Sequence, residues 1–185
     1  MGTNFELGTQ RYLGALREGA EIGSAIGEAH VAIHKDAVFA AAVEMLAETG
    51  VIDMKQLAVR AGISRASLYR YYADKLAVEA EVAGCLARRM AEAAASHERV
   101  LDKLRVVIDV MIEFPAGAAS LAPVVAEADP DVIAESCRSI VGHPGATPVL
   151  VGFAAMIASA HRRGAMDQVK VMADDILNQF ELSLA

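Results

Sequence analysis

The sequence predicts an all-α fold, for three reasons. Apolar side chains recur at steps of three and four residues along most of the chain, which is the spacing of one helix face. Ala, Leu, Glu, Met and Val dominate the composition, while the alternation typical of strands is scarce. Capping residues and glycines separate the periodic stretches. With 55% hydrophobic residues in a chain of 185, a sizeable core can form, which excludes global disorder.

Bulk charge and cysteine content exclude several classes of protein. A net charge of −7 argues against non-specific nucleic-acid binding by the chain as a whole. Charged residues interrupt every apolar run before the ~18 residues of a membrane span, and no secretion signal is recognisable. Cys85 and Cys137 are too few for a disulfide framework. We therefore expect a cytoplasmic protein without membrane contact.

Residues 1–29 are predicted to form a separate N-terminal extension. Glycines at four positions weaken the helical periodicity that begins at Tyr12 and Leu13. The extension is interpreted either as a terminal tail or as a helix that packs on its own or a partner subunit.

Four helices are predicted between residues 32 and 95. The first, from about Ala32 to Thr49, ends before Gly50, a residue that suits the left-handed position after a helix. The second is two turns long and stops at Gly62. Each of the next three helix starts has a side chain that can cap its first N–H groups, namely Asp53, Ser64 and Asp74.

Five more helices are predicted beyond residue 96. Pro115 and Gly117 end the first of them, and Asp129 followed by Pro130 starts the third as cap and first residue. Residues 142–148 have the composition of a loop, and Asp167 is the expected cap of the last helix. The expected bounds are 98–114, 120–128 with Pro123 in its first turn, 130–141, 149–163 and 167–184.

One short segment differs from the rest of the chain in charge. Residues 53–75 carry five basic and two acidic side chains, a net of +3, whereas residues 79–185 carry nine basic and fifteen acidic ones, a net of −6. The two short helices of this basic segment are joined through Gly62, which is the pattern of a helix-turn-helix. Its inside is predicted to consist of Leu57, Ala58, Ile63 and Leu68.

The outer face of the second short helix has the chemistry of nucleic-acid recognition. Arginine can bind a guanine edge with two hydrogen bonds, serine and tyrosine hydroxyls suit phosphate oxygens, and a helix N-terminus attracts anions. The alternative is a purely structural hairpin, in which Leu or Ile would be expected at the positions of Tyr69, Tyr71 and Tyr72. The outward side chains are predicted to be Arg65, Ser67, Tyr69 and Arg70.

The stretch LAVRAGISRASLYRYYADK, residues 57–75, resembles the DNA-binding signature of the tetracycline-repressor (TetR) family of bacterial transcriptional regulators. The likeness extends over about residues 32–80. The matching motifs are Leu57-Ala58, Ala61-Gly62-Ile63-Ser64, Leu68-Tyr69-Arg70-Tyr71-Tyr72 and Lys75.

Three features depart from the family pattern. The connection from Gly50 to Leu57 is about two residues short, and Met54 with Lys55 replaces a threonine pair. Tyr72 stands where the family usually has a core phenylalanine, a site that tyrosine can fill if its hydroxyl reaches water or a partner.

The resemblance implies a contact for each of several residues. Arg65, Ala66 and Ser67 would face the major groove, Tyr69 and Tyr71 would contact phosphates or base edges, and Lys75 would pair with a phosphate. Lys55 would replace the missing threonine hydroxyl at a phosphate. Residues 1–29 then gain a third interpretation, as an arm whose Arg11 or Arg17 contacts the DNA backbone. The full predicted DNA-binding set is Lys55, Ser64, Arg65, Ala66, Ser67, Tyr69, Arg70, Tyr71 and Lys75.

The resemblance also implies a homodimer built on the last two helices. Small residues on the helix predicted at 149–163 would let a partner helix approach closely. The alternative is that these side chains are core of a single subunit. The predicted interface residues are Gly152, Phe153, Ala155, Met156, Ser159, Ile176 and Phe180.

Members of this family bind an effector among their middle helices. Met and Phe suit a pliable cavity, so a small apolar effector is expected here. The alternatives are that each residue is plain core, and that the cavity is small, open to the dimer interface or absent. The predicted lining is Val107, Met111, Phe114, Leu121, Val125, Ile133, Cys137 and Met156.

No set of residues points to catalysis or to a cofactor. His30 and His34 have the i, i+4 spacing of a metal-binding pair, but a third ligand is not evident. The sequence contains no Gly-rich phosphate loop and no nucleophile elbow. We therefore expect no enzymatic activity, no metal and no cofactor.

These observations predict a transcriptional regulator with three segments. They are an extension at 1–29, a DNA-binding domain at 30–78 and a helical effector-binding and dimerisation domain at 79–185. The protein would be a ligand-responsive repressor that binds a near-palindromic operator in double-stranded DNA as a homodimer. The alternative is a helical protein-interaction module without an effector.

Overall fold

The computed structural model describes residues 34–184, with side chains as far as Glu181. Regular structure in that range consists of nine α-helices and no strand, which confirms the predicted all-α class. Residues 1–29 lie outside the described residues, and so do the three interpretations given for them. The helices are α1 (34–49), α2 (Met54–Arg60), α3 (Arg65–Tyr71), α4 (Lys75–Ala95), α5 (Val100–Glu113), α6 (Pro115–Glu127), α7 (Pro130–Val141), α8 (Ala146–Arg162) and α9 (Met166–Leu184).

Side-chain caps start α2, α3 and α4 as predicted. The Asp53 carboxylate accepts from the N–H groups of Lys55 and Gln56 at 2.9 and 2.8 Å. The Ser64 hydroxyl oxygen accepts from the N–H of Ser67 at 3.0 Å. The Asp74 carboxylate accepts from the N–H of Ala77, in the first turn of α4. These caps satisfy N–H groups that a helix leaves without partners, so they fix where each short helix begins.

Four of the later helices begin at residues other than those predicted. Helix α5 starts at Val100 instead of residue 98. Helix α6 starts at Pro115 instead of Ser120, because proline at the first position lacks only an N–H that would have no partner there. Pro123 therefore lies inside α6 and not in its first turn. Helix α8 starts at Ala146 instead of Val149, and α9 at Met166, so that Asp167 is in the first turn and does not cap it.

Two hydrophobic clusters form the core of the described residues. The first lies in α1 to α3 and the start of α4, which we call the head, together with Ala116 of α6, and it buries Leu57 and Leu68 completely. The second lies in the remainder of the described chain, which we call the body. Helix α4 contributes to both clusters, and Phe114, at the joint of α5 and α6, packs against both. The head is therefore attached to the body through apolar contacts as well as through the chain.

A carboxylate is buried near the start of α4. Glu79 is 3% exposed, and its Oε2 atom has no hydrogen-bond partner among the described residues. Burial is the main effect on Glu79, and it raises the pKa of this carboxyl group. The charge of Lys75 lowers the pKa and the charge of Asp74 raises it, each by less than burial does. The ionised form is thus disfavoured at this position.

Replacing Gly50 with alanine is expected to destabilise the protein by about 1–2 kcal/mol. Gly50 has φ +71°, and a Cβ atom placed on it would lie 2.8 Å from Cδ of Arg162. The matched control is Gly84→Ala in α4, where a Cβ would meet only Nη1 of Arg88 at 3.8 Å. Urea denaturation followed by circular dichroism should show no loss of stability for the control. Equal stabilities of the two variants would contradict this prediction.

Candidate functional site

The turn between α2 and α3 is closed by backbone hydrogen bonds that glycine makes possible. Gly62, with φ +67°, donates to the carbonyl of Val59 at 3.1 Å, and Ile63 donates to that of Ala58 at 3.0 Å. This is the Schellman arrangement, in which a left-handed residue ends a helix. Ala58 is 1% exposed and Leu68 is fully buried, so α2 and α3 are in close contact. The predicted helix-turn-helix and its apolar inside are confirmed.

The outer face of α3 presents the predicted recognition side chains to solvent. Arg65, Ala66 and Arg70 are exposed, and the Tyr69 side chain is 45% exposed. Tyr71 is half-buried, because part of its ring packs against the core of the head. Arg65, Ala66, Tyr69 and Arg70 therefore lie on one accessible surface of α3. Part of the Tyr71 ring is instead used for packing in the head.

A short chain of hydrogen bonds orients the side chains at the start of α3. The Ser64 hydroxyl donates to the Ser67 hydroxyl oxygen at 3.0 Å. Nη2 of Arg70 donates to the same Ser67 oxygen, also at 3.0 Å. These bonds hold the Arg70 guanidinium back along α3, close to the N-terminal serines, where an anion is favoured.

Four cations of the basic segment have no acidic partner among residues 34–184. Lys55, Arg65 and Lys75 are exposed and form no ion pair with any described residue, and the same holds for Arg70. The fifth, Arg60, donates to Glu48 at 2.7 Å, and that hydrogen bond lowers the pKa of Glu48. Charges that remain unpaired within the fold are available to phosphates.

Tyr72 occupies the core, as the departure from the family pattern required. It is 5% exposed, and its hydroxyl donates to the carboxylate of Glu81. The ring fills the core site while its polar atom finds a partner on α4. Tyr72 is therefore a packing residue, in contrast to Tyr69 three positions earlier.

The body contains an apolar cavity of about 300 Å³. Five of the eight residues predicted for the lining surround it: Met111, Leu121, Val125, Ile133 and Cys137. No charged side chain is among the described residues that line it. Burial raises the pKa of the Cys137 thiol, so the thiol is neutral.

Three residues predicted for the lining lie elsewhere. Val107 is fully buried in the body core, and Met156 is half-buried on α8 outside the cavity. Phe114 sits at the α5–α6 joint, where its ring contacts Gly117 and lies 5.2 Å below the guanidinium of Arg89. Sequence reasoning missed Leu150 and Ala154, which also line the cavity, because α8 was assigned to a subunit interface.

The residues predicted for a dimer interface separate into two groups. Gly152 and Ala155 are exposed on α8 and Ser159 is half-exposed, whereas Met156 is half-buried and packs against the core of the single subunit. Phe153 was predicted in the interface, but it is 2% exposed and belongs to the core of the single subunit. The remaining two, Ile176 and Phe180, are half-buried against the same core.

Comparison with known families decides the nature of the head. The profile described as bacterial regulatory proteins, tetR family, matches residues 38–82, which run from α1 to the first part of α4. The chain carries a TetR-family DNA-binding domain. It is a helix-turn-helix DNA-binding transcriptional regulator, and TetR-family regulators are not enzymes. No curated protein matches the chain.

Within residues 34–184, no single helix is long and apolar enough to cross a membrane, although the bent pairs α5–α6 and α7–α8 meet the criteria of length and composition together. Over the same residues, no group of three or more His, Cys, Asp or Glu side chains could hold a metal ion.

Proposed function

We propose that this TetR-family regulator is a repressor that binds a near-palindromic operator as a homodimer and is released by a small apolar effector. The unpaired cationic surface of α3 carries the proposal. Arg65 and Arg70 project from it with no carboxylate partner among the described residues, which fits a helix that enters the major groove.

A homodimer is supported by the exposed surface of α8. Pro148, Gly152 and Ala155 are exposed and Ser159 is half-exposed, at successive steps of four, three and four residues along α8. Within the part of the chain that the structure describes, no atom beyond the neighbouring residues and the backbone of α8 lies within 4 Å of a Cβ placed on Gly152, so the backbone there is open to a partner helix. A symmetric dimer would present two recognition helices about 34–36 Å apart, one turn of DNA.

The cavity supports an uncharged, apolar effector. A cavity of about 150 Å³ holds benzene, so one of about 300 Å³ suits a molecule of two fused rings. An ionised ligand would be disfavoured, because no described lining residue carries an opposite charge. Release of DNA requires that the effector binds the two states of the protein with different free energies.

Exposed apolar side chains on α9 favour a second candidate function, docking of another protein. Val171 is 66% exposed and Met172 is 47% exposed. Gel filtration of the full chain with and without selected operator DNA separates the candidates. A stable protein–DNA complex supports the repressor, whereas no such complex together with capture of a different protein supports the docking module.

The first prediction of this proposal concerns DNA contacts. On an operator obtained by in vitro selection with the full chain, Arg65→Ala should weaken binding by about 1–3 kcal/mol and relax the preference at one base pair. Lys75→Ala should lower the slope of log affinity against log salt by about 1, because it removes one phosphate contact.

The matched control for the DNA measurement is Arg138→Ala, which removes an exposed guanidinium from α7 in the body. Its affinity and salt slope should equal those of the parent chain. If both Arg65→Ala and Lys75→Ala bound like the control, the assignment of these contacts would be refuted.

The second prediction concerns the dimer. Gly152→Arg places a long cation in the middle of the exposed stripe of α8, so the particle mass measured by light scattering should fall to that of one chain. Ala91→Arg, on the exposed side of α4, is the control and should leave the mass unchanged. A Gly152→Arg protein that still has the mass of a dimer would place the interface elsewhere.

The third prediction concerns the effector. Naphthalene should bind the full chain and raise its melting temperature, while a naphthalenesulfonate, which has the same rings and a charge, should not. The absence of Trp from the chain allows binding to be followed by naphthalene fluorescence. Ala122→Phe, at a lining residue on the exposed side of α6, should abolish binding, and the exposed Ala91→Phe should not. Equal binding of the two probes would contradict an apolar site.

A further inference from the structure

The end of α8 contacts the end of α1, although the two lie far apart in sequence. Nε2 of His161 is 2.8 Å from the carbonyl oxygen of Ala47, a separation of 114 residues along the chain. Because a carbonyl oxygen only accepts, Nε2 carries the proton and donates it. Ala47 is in the last turn of α1, where carbonyl groups have no donor within the helix. His161 therefore donates a hydrogen bond to a carbonyl group of the head that has no donor within α1.

A second contact lies beside the first. The methylene groups of Arg162 cover Gly50, since a Cβ atom placed there would be 2.8 Å from Cδ and 3.4 Å from Cγ of Arg162. Two successive residues of α8 thus hold the residue that ends α1 and a carbonyl of its last turn. We call this pair of contacts, His161 with Ala47 and Arg162 with Gly50, the latch.

Helix α8 joins the latch to the cavity. It is continuous from Ala146 to Arg162, and its earlier turns supply Leu150 and Ala154 to the cavity lining. Leu150 and His161 are separated by about 16 Å along the axis, at 1.5 Å per residue. A displacement of the cavity wall would therefore be carried along one helix to the latch.

The end of α1 also contacts the helix-turn-helix. Glu48 follows Ala47 and pairs with Arg60 in the last turn of α2 at 2.7 Å. Ile52, between α1 and α2, is 3% exposed and packs in the core of the head. The contacts from cavity wall to DNA-binding helices are thus contiguous.

We propose that His161 is a positioning residue that fixes the orientation of the DNA-binding head against α8. The proposal rests on the dimeric operator binding proposed above, because the orientation of each head then sets the distance between the two recognition helices. Loss of the donated hydrogen bond would let each head rotate, so that operators of incorrect half-site spacing are tolerated better.

Three variants of the full chain isolate the hydrogen bond. His161→Phe keeps a ring but removes the donor. His161→Gln keeps an N–H donor at similar reach, and Arg163→Ala alters an exposed residue at the same helix end. If the Phe variant does not fold, His161→Leu takes its place.

Hydrogen exchange of the free protein tests the latch without DNA. Amides of residues 47–52 should exchange about three- to tenfold faster in His161→Phe, the effect of one lost hydrogen bond. The rates should stay near the parent values in His161→Gln and Arg163→Ala, and amides of α5 should be unchanged in all three. Unchanged rates at 47–52 in His161→Phe would overturn the latch whatever the DNA results.

Operator spacing tests the positioning role. Selected operators with one base pair inserted or removed between half-sites should be discriminated about three- to tenfold less by His161→Phe than by the parent chain, while affinity for a single half-site is kept. Simple destabilisation would lower occupancy equally on every spacing. Faster exchange with unchanged discrimination would overturn the positioning role alone. A parent chain that binds no two-site operator would refute both the proposed function and the positioning role. In that case, the hydrogen-exchange rates of residues 47–52 would still test whether the latch exists.

Discussion

The close crossing of α2 and α3 is the constraint on which the recognition surface depends. Two helices of seven residues each have little stability alone, so each must be held by the other and by α1 and α4. Ala58 and Leu68 are buried where they cross, and Gly62 turns the chain between them. A larger side chain at Ala58 would separate the two helices. The projection of Arg65 from the head follows from this packing.

The distribution of ion pairs explains how an acidic chain can bind a polyanion. Over residues 34–184, the body pairs Arg89, Arg99, Arg105 and Arg138 with carboxylates, while Arg60 is the one cation of the basic segment that is paired. At an ionic strength of 0.1 M, charges more than about 10 Å away are largely screened. The local net charge of +3 in residues 53–75 therefore decides what α3 attracts, and the total of −7 limits binding elsewhere on the surface.

Local features of the fold were predictable from sequence, and features set by packing were not. Asp53, Ser64 and Gly62 act within a few residues of themselves, so their positions alone predicted three boundaries. Pro115 is compatible with both the end of one helix and the start of another, and only the structure shows that it is the start of α6.

The same distinction holds for the candidate sites. Gly152 and Phe153 are neighbours about 100° apart on α8, and helical periodicity does not tell which one the body covers. The structure buries Phe153 and exposes Gly152. Likewise Val107 and Met111 are on one face of α5, yet only Met111 reaches the cavity. Which apolar residues surround empty space depends on the contacts of α6, α7 and α8, which no local pattern records.

The free energy of one hydrogen bond limits how strongly the latch could couple the cavity to the head. A net hydrogen bond contributes about 0.5–1.5 kcal/mol, whereas coupling between an effector and its distant site is typically about 1–3 kcal/mol. Under the effector response proposed above, the bond from His161 to Ala47 would therefore supply part of such coupling, and a second route would supply the rest. Phe114 is placed to do so, because it packs against the clusters of both head and body and adjoins α6, which also lines the cavity. Under the proposed effector response, two routes would then leave the cavity wall on different helices, α8 and α6, and reach the head at the end of α1 and at its apolar core.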